Sequence, residues 1–207
     1  MDSTSGSRLQ RAVALVAAAV LVAFGIASII KGLDGRSTVN SSLKQERVKG
    51  EPFMSPAGIV ARAKALGFTD FKAPDCSVAN KAITTGSDAR CFAQYMRIDA
   101  LVATGGKTYA DMPSFVGKDG KLTDDIAKAK IVPGTGIVPN PARALWVTET
   151  ALTTALNASY MGDQISLFGI GVGAVMLLLG LVLGGVSLGG VRIGQSEASR
   201  ARTLSRT

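Results

Sequence analysis

Two long uncharged runs dominate the pattern of hydrophobic and polar positions in this chain. The first extends from Ala12 to Ile30 and the second from Ile165 to Val191. A helix needs roughly 20 apolar residues to cross the hydrocarbon core of a bilayer. Backbone groups inside lipid must be paired within the segment, so both runs predict transmembrane helices, at residues 12–31 and 164–191.

The first run has one alternative interpretation, a cleaved signal peptide. The apolar core of a signal peptide is shorter, typically 7–15 residues, and is followed by a small-x-small cleavage site. Here only Gly25-Ile26-Ala27 resembles such a site. The length and the basic flanks of the run favour a helix that is retained.

Regularly spaced glycines mark one side of the second predicted span. At about 100° per residue they fall within one narrow sector of the helix, and they are Gly169, Gly173, Gly180 and Gly184. The two GxxxG pairs predict a surface that another helix approaches closely. The alternative is that glycine is simply frequent in membrane helices. The pattern leaves open whether the partner is the first span or a helix of another protein.

The segment between the runs predicts two short helices. Residues 32–52 are polar and predict an extended connection. Ser55-Pro56 is typical of a helix start, and Gly67 is typical of a helix end. A second helix is predicted from about residue 88 to 103, because apolar positions recur at helical spacing. The pair Gly105-Gly106 then predicts its C-terminal cap.

The rest of this segment is rich in loop-forming residues. Residues 68–87 and 113–140 predict loops, with one short helical turn at Thr123–Ile126. Asn140-Pro141 predicts the start of a further helix that leads into the second span. The expected fold is a mainly α membrane protein: two transmembrane helices with a small helical, loop-rich extracytoplasmic domain between them.

Basic residues indicate the orientation in the membrane. Six arginines occur in the tails, residues 1–11 and 192–207, whereas residues 144–163 contain no Lys or Arg. Basic residues at 31–49 argue weakly the other way, but this loop exceeds the length over which loop charges count. We therefore expect both tails to be cytoplasmic and residues 32–163 to be extracytoplasmic.

The two cysteines of the chain, Cys76 and Cys91, both fall in the predicted extracytoplasmic segment. A lone pair in an oxidising compartment predicts a disulfide. Closing a loop of about 15 residues contributes roughly 3 kcal/mol in the chain-entropy model. The alternative is two buried free thiols. Structural zinc requires four ligands, which two cysteines do not supply.

We expect no catalytic, cofactor or metal site. The chain has no histidine, the commonest general base and metal ligand. The segment Gly105-Gly106-Lys107-Thr108 lacks the first glycine of a phosphate-binding loop, since Leu101 stands at that position. Asp119, Asp124 and Asp125 do not have the spacing of a calcium loop.

Other conspicuous residues favour structural roles. Asn157-Ala158-Ser159 is formally a glycosylation acceptor, but it lies near the membrane end of a predicted helix. Trp146 and Tyr160 are expected to be packing or interfacial anchors. Carboxylates such as Asp99 and Asp111 are the remaining candidates for an enzyme.

Three segments carry a resemblance to a known family: Lys44-Gln45-Glu46-Arg47-Val48, the stretch from Leu101 to Ala110, and Asn157-Ala158-Ser159-Tyr160 directly before the glycine-rich run. In this order they resemble a family of actinobacterial two-span membrane proteins, often named "aromatic ring-opening dioxygenase". The resemblance covers most of residues 10–190. It implies two membrane helices and a short external segment, but no established activity. Non-haem iron sites of the named kind use histidine ligands, which this chain lacks.

The expected function is that of a non-catalytic accessory or structural subunit of a larger membrane assembly, such as a respiratory supercomplex. Its expected partners are helices of other membrane proteins, in a homo- or hetero-oligomer, and the lipid bilayer. The basic composition does not form a recognisable nucleic-acid-binding module, so no nucleic acid is expected. The alternative is a free-standing envelope protein whose external domain binds a cell-wall, lipid or protein ligand.

Overall fold

The computed structural model of the chain describes the backbone of residues 3–204 and the side chains of residues 8–188. It is mainly helical. Its elements, in chain order, are α1 (Ser3–Glu46), α2 (Pro56–Ala65), α3 (Gly86–Ala103), a short 3-10 helix (Tyr109–Asp111), β1 (Phe115–Val116), β2 (Leu122–Thr123), β3 (Ile131–Val132), β4 (Gly136–Ile137) and α4 (Pro141–Leu204).

The chain divides into two compact units. The two-helix unit consists of residues up to Ser37 and from Gln164 onward, and the middle unit is Thr38–Asp163. The two-helix unit contains both predicted spans, and each unit is described by itself below.

Both long helices have the apolar character of membrane spans. Their most apolar 18-residue windows have mean hydropathies of 2.8 in α1 and 2.5 in α4, and 11% of each window is buried within the protein. The core helix of a soluble protein would bury most of such a window. Both α1 and α4 are also long and apolar enough to cross a bilayer. The side chains of residues 189–191 and the arginines of the C-terminal tail lie outside the described part.

Within the two-helix unit, the glycine side of α4 packs against α1 of the same chain. A Cβ atom on Gly173 would lie 2.7 Å from the carbonyl oxygen of Gly25. A Cβ atom on Gly180 would lie 2.9 Å from the carbonyl oxygen of Ala18. Real Cβ atoms essentially never approach this closely, so a side chain at either position would push the helices apart.

The other two glycines of this side make looser contacts. A Cβ on Gly169 would lie 3.9 Å from the Ser28 carbonyl oxygen, and one on Gly184 would lie 3.6 Å from the Ala18 Cβ. Both distances are ordinary van der Waals contacts. Near Gly169 the helices are also joined by the Ser28 hydroxyl, which donates to the Gly169 carbonyl at 2.8 Å.

Helix α1 contributes glycines of its own to this contact. A Cβ on Gly25 would lie 2.8 Å from the Gly173 carbonyl oxygen, and one on Gly32 would lie 2.7 Å from the Ser166 carbonyl oxygen. The sequence indicated Gly25 only as part of a weak cleavage site. The structure gives Gly25 a packing role. It also shows that the glycine side of α4 packs against the first span of the same chain, which the glycine pattern left open.

The prediction of an extended connection at residues 32–52 is wrong, because α1 continues to Glu46. The segment is polar, but Val39 and Leu43 are one helical turn apart and both pack into the core of the middle unit. Burying this pair stabilises a helix that composition alone disfavours. The helix ends at Glu46, and the next residue, Arg47, has a φ of 52°.

Helices α2 and α3 confirm their predicted positions and form most of the core of the middle unit. The Ser55 hydroxyl accepts a hydrogen bond from the Gly58 N–H at 3.2 Å and caps α2. Helix α3 begins two residues before the predicted start, because Thr85 provides its cap. The largest fully buried apolar side chains of the core are Ile59, Val78, Ile83 and Tyr95.

Residues 113–140 contain short strands that composition did not predict. β1 pairs antiparallel with β2, and β3 pairs antiparallel with β4. The helical turn predicted at Thr123–Ile126 is displaced and does not form a helix: the Lys128 N–H donates to the Asp125 carbonyl at 3.1 Å and the Ala129 N–H to the Ile126 carbonyl at 3.2 Å, which makes two tight turns. The Thr123 hydroxyl accepts from the Asp125 N–H, and the Asp125 carboxylate accepts from the Ala127 N–H, each at 3.0 Å. These side chains satisfy backbone donors locally and favour tight turns over a helix.

The helix contact in the two-helix unit yields a prediction with an internal control. We expect Gly173→Ala and Gly180→Ala each to lower the free energy of unfolding by about 1–3 kcal/mol, because the added methyl group meets backbone. Gly169→Ala and Gly184→Ala should leave it nearly unchanged. Thermal unfolding of the full chain in a mild detergent measures the difference. Equal stability of all four variants would contradict the close contact.

Candidate functional site

The predicted disulfide is present in the middle unit. Cys76 and Cys91 are bonded, with their Cα atoms 6.1 Å apart, and they join the loop before α3 to the beginning of that helix. Tyr95, one turn further along α3, donates a hydrogen bond to the Cys76 carbonyl oxygen at 2.6 Å. Burial, with a smaller contribution from the charge of Asp75, raises the pKa of Tyr95. Because Cys91 and the neighbouring Tyr95 are buried in the core, the disulfide is a structural crosslink.

The carboxylates considered for an enzyme have structural partners. Asp99 forms an ion pair with Arg62 at 2.7 Å. Asp111 accepts hydrogen bonds from the Thr108 hydroxyl at 2.6 Å and from the Thr108 N–H at 3.1 Å. These two bonds, the side-chain one first, lower the pKa of Asp111. Asp99 links α3 to α2, whereas Asp111 stabilises the start of its own 3-10 helix.

The glycine pair after α3 forms a helix cap. Gly105 and Gly106 have φ values of 63° and 79°, and the Gly106 N–H donates to the Leu101 carbonyl oxygen at 2.7 Å. This left-handed geometry is typical of a helix C-terminus. Among the side chains of residues 8–188, no group of three or more His, Cys, Asp or Glu could hold a metal ion.

Two arginines of α3 stack on aromatic rings of α4. The Arg97 guanidinium lies 4.0 Å from the Trp146 ring centroid, and that of Arg90 lies 4.7 Å from the Tyr160 centroid. Arg97 also pairs with Glu149 at 3.1 Å, and the Glu149 side chain is 4% exposed. Trp146 and Tyr160 are therefore packing residues, as expected. Sequence did not reveal their arginine partners, because each pair is far apart along the chain.

A shallow cavity of mixed polar and apolar character, largely open to solvent, lies where the 3-10 helix, β1 and the first turns of α4 meet. Its volume is about 610 Å³, and its lining includes Tyr109, Phe115, Arg143 and Val147. Asn140 holds its wall together: its side-chain amide donates to the Pro113 carbonyl at 2.8 Å and accepts from the Ala142 N–H at 3.0 Å. A second cavity of about 520 Å³, lined by Trp146, also shares Tyr109 and Val147.

Arg143 provides the cavity with its charge. Its guanidinium lies 3.9 Å from the Tyr109 ring centroid and donates to the Ser114 hydroxyl. Within the described part of the chain, its buried Nε–H has no hydrogen-bond partner. Asp124 accepts from the Ser114 N–H at 2.8 Å. Hydrogen bonds from Ser114, followed by the charge of Arg143, lower the pKa of Asp124.

The sequence did not predict this cavity. Arg143 and Tyr109 lie in separate elements, and the β1–β2 hairpin that brings Ser114 and Phe115 to the same place was expected to be an irregular loop. The available signal was small: Arg143 is the only basic residue in the first six turns of α4. Glu149, the nearest acidic residue on α4, pairs with Arg97, so Arg143 has its contacts with residues of other segments.

An ion pair at the start of α3 joins the buried carboxylate of Asp88 to the exposed ammonium of Lys81. Asp88 is 7% exposed and accepts a hydrogen bond from the Lys81 ammonium at 2.5 Å. Burial acts to raise the pKa of Asp88. The hydrogen bonds from Lys81 and Thr85 and the charge of Lys81 together outweigh burial and lower this pKa below its ordinary value.

We expect Asp88 to stabilise the fold above the unfolded-state pKa of an aspartate, about 3.9. That stabilisation is lost as the pH falls through the lower pKa of the folded state. Asp88→Asn should therefore lower stability at pH 7 and reduce the further loss below pH 4, as measured by thermal unfolding across pH. The control, Asp70→Asn, removes an exposed carboxylate. Matching pH profiles for wild type and Asp88→Asn would refute this role.

Comparison of the chain with protein-family models, with curated proteins and with solved structures gives no match. The resemblance to the actinobacterial two-span family therefore remains a prediction from sequence motifs. Three features of the molecule bear on function: a helix pair that packs through glycine, a disulfide-bonded middle unit and a cavity that contains Arg143.

Proposed function

We propose that this protein is a non-catalytic, two-span membrane protein that serves as an accessory subunit of a larger membrane assembly, such as a respiratory supercomplex. The glycine side of α4 is occupied by α1 of the same chain. A partner would therefore contact other surfaces. The resemblance to a two-span family supports the architecture and leaves the partner open.

One observation supports the proposal: in the middle unit, α4 has an exposed face that contains no charged residue. Between Ala144 and Gly162 the only charged residue is Glu149, which is buried against Arg97. The exposed positions of this stretch are apolar, small or uncharged polar residues, and we name them the uncharged face of α4: 144, 145, 147, 148, 150, 151, 152, 154, 155, 157, 158 and 161.

A helix that faces water normally carries charged residues on its outer side. Extended exposed surfaces without charge, including apolar side chains, are typical of contact sites for other proteins. Leu145, Val147, Leu152 and Met161 are among the exposed apolar residues of this face. Small residues such as Ala155 and Ala158 lie between them and allow a neighbouring helix to approach. The uncharged face is therefore the docking surface that we propose for a partner subunit.

We further propose that both termini are cytoplasmic and that the middle unit is extracytoplasmic. The arginines of the tails support this orientation. The Cys76–Cys91 disulfide supports it independently, because such bonds persist in oxidising compartments.

Alkaline phosphatase folds only in an oxidising compartment and therefore tests this orientation. A fusion at Gly120, in the β1–β2 turn, should be active, and a fusion at Arg206, outside the described residues, should be inactive. Comparable expression of the two fusions, checked by immunoblot, is the control. The reverse pattern of activity would exclude the proposed topology.

A charge on the uncharged face of α4 should weaken association with the partner. Leu152→Lys has a matched control in Val60→Lys on α2, because both side chains are 48% exposed. Burying a lysine in an interface without a counter-charge is unfavourable. We expect Leu152→Lys to reduce the yield of co-purified membrane proteins at least tenfold after mild extraction, while Val60→Lys retains them. Wild-type migration at the mass of a monomer or homodimer in native electrophoresis would contradict the subunit proposal.

The second candidate function is binding of an extracytoplasmic ligand by the middle unit. The observation that favours it is the cavity that contains Arg143. Its volume of about 610 Å³ falls within the range of small-molecule sites.

A further inference from the structure

We propose that the cavity at Arg143 binds a small monocarboxylate with a hydrophobic body. This inference rests on the second candidate function. Ala144, Val147 and Thr148 belong both to the cavity lining and to the uncharged face of α4. Arg143 belongs only to the cavity and Leu152 only to the face, so variants at these two residues test the two proposals separately. Three properties of the cavity indicate the chemical class of the ligand: its charge, its walls and its volume.

The charge of the cavity favours an anion. Arg143 is the only charged residue in the lining. Its guanidinium has five N–H donors, of which one is directed to the Ser114 hydroxyl. In the described part of the chain, the buried Nε–H has no hydrogen-bond partner. Because this Nε–H is buried, a ligand would have to use the terminal N–H groups of the guanidinium, one of which already donates to Ser114. A planar guanidinium matches a carboxylate in charge and in hydrogen-bond geometry.

The surroundings limit the ligand to one negative charge. Asp124 lies close enough to Arg143 for the two charges to interact, so the positive charge of the arginine is partly balanced within the protein. The carboxylate of Asp124 is held by the Ser114 N–H and does not line the cavity. A dianion such as a phosphate monoester would bring a second charge that no basic residue of the lining compensates.

The walls favour a hydrophobic body next to the carboxylate. Tyr109, Phe115, Pro139 and Val147 contribute apolar surface to the lining. Tyr109 is fixed in position by its stacking against Arg143, so the ring and the charge are presented together. A ligand that combines one carboxylate with a ring or short aliphatic chain would satisfy both features at once. A cavity of about 610 Å³ is large enough for such a molecule.

The chain contains its own reporter for a binding experiment. Trp146 is the only tryptophan, and it lines the neighbouring cavity that shares Tyr109 and Val147. The full chain is reconstituted in phosphatidylcholine vesicles and titrated with 3-phenylpropionate at pH 7 while tryptophan fluorescence is recorded. We expect a saturable change with a dissociation constant on the order of 1 mM or lower. Its uncharged analogue, 3-phenylpropan-1-ol, and inorganic phosphate should bind at least tenfold more weakly.

Two variants distinguish the charge of the site from its shape. Arg143→Gln removes the charge, and Val147→Phe fills the cavity while it retains the arginine. Each should weaken binding of 3-phenylpropionate at least tenfold. The control is Arg62→Gln, since Arg62 also stacks on an aromatic ring, Phe53, but lies on α2 outside the cavity. It should keep wild-type affinity. Helicity and thermal unfolding establish that each variant is folded.

The proposal is overturned by any of three results: no saturable response of the wild type, equal affinity for the acid and the alcohol, or wild-type affinity in a folded Arg143→Gln variant. Co-purification of partner proteins is a separate measurement. Loss of the carboxylate response in Arg143→Gln with partners retained supports ligand binding. Retained affinity in that variant together with loss of partners in Leu152→Lys supports only the accessory-subunit proposal.

Discussion

Close backbone contact between α1 and α4 is the constraint on which the two-helix unit depends. Lipid offers no hydrophobic driving force for two apolar helices to associate, so van der Waals contact and hydrogen bonds have to supply it. Gly25 and Gly173 remove the side chains that would separate the backbones. The hydrogen bond from Ser28 to the Gly169 carbonyl adds a polar contact. Because α1 fills this surface, any assembly with other chains has to use another face.

In the middle unit, arginine side chains over aromatic rings add to the apolar core. Four such contacts occur among its residues, namely Arg62–Phe53, Arg90–Tyr160, Arg97–Trp146 and Arg143–Tyr109. The long side chains cover apolar surface with their methylene groups while the guanidinium stays polar. This suits a unit with few large aliphatic residues in its core. It also explains why basic residues that look solvated in the sequence are structural in the fold.

Local signals in the sequence predicted the helices α2 and α3 well. The features that the sequence did not predict depend on contacts between distant residues. Ser55 and Gly67 mark the ends of α2 through capping and left-handed geometry, which depend on neighbouring residues only. The extension of α1 depends on Val39 and Leu43 finding a core made by later residues. The Arg143 cavity likewise needs the 3-10 helix, β1 and α4 together. The glycine spacing indicated a packing side, but only the fold could identify its partner.

The distribution of the core along the chain has a consequence for the order in which the middle unit folds during synthesis. The buried members of its main core cluster come from residues 43 to 102, so they have all been synthesised before α4 begins at Pro141. Contacts that are close in sequence form quickly, because little chain has to be ordered to close them. The Cys76–Cys91 bond lies within the same stretch. An already compact core can therefore receive the first turns of α4, which complete the middle unit up to Asp163.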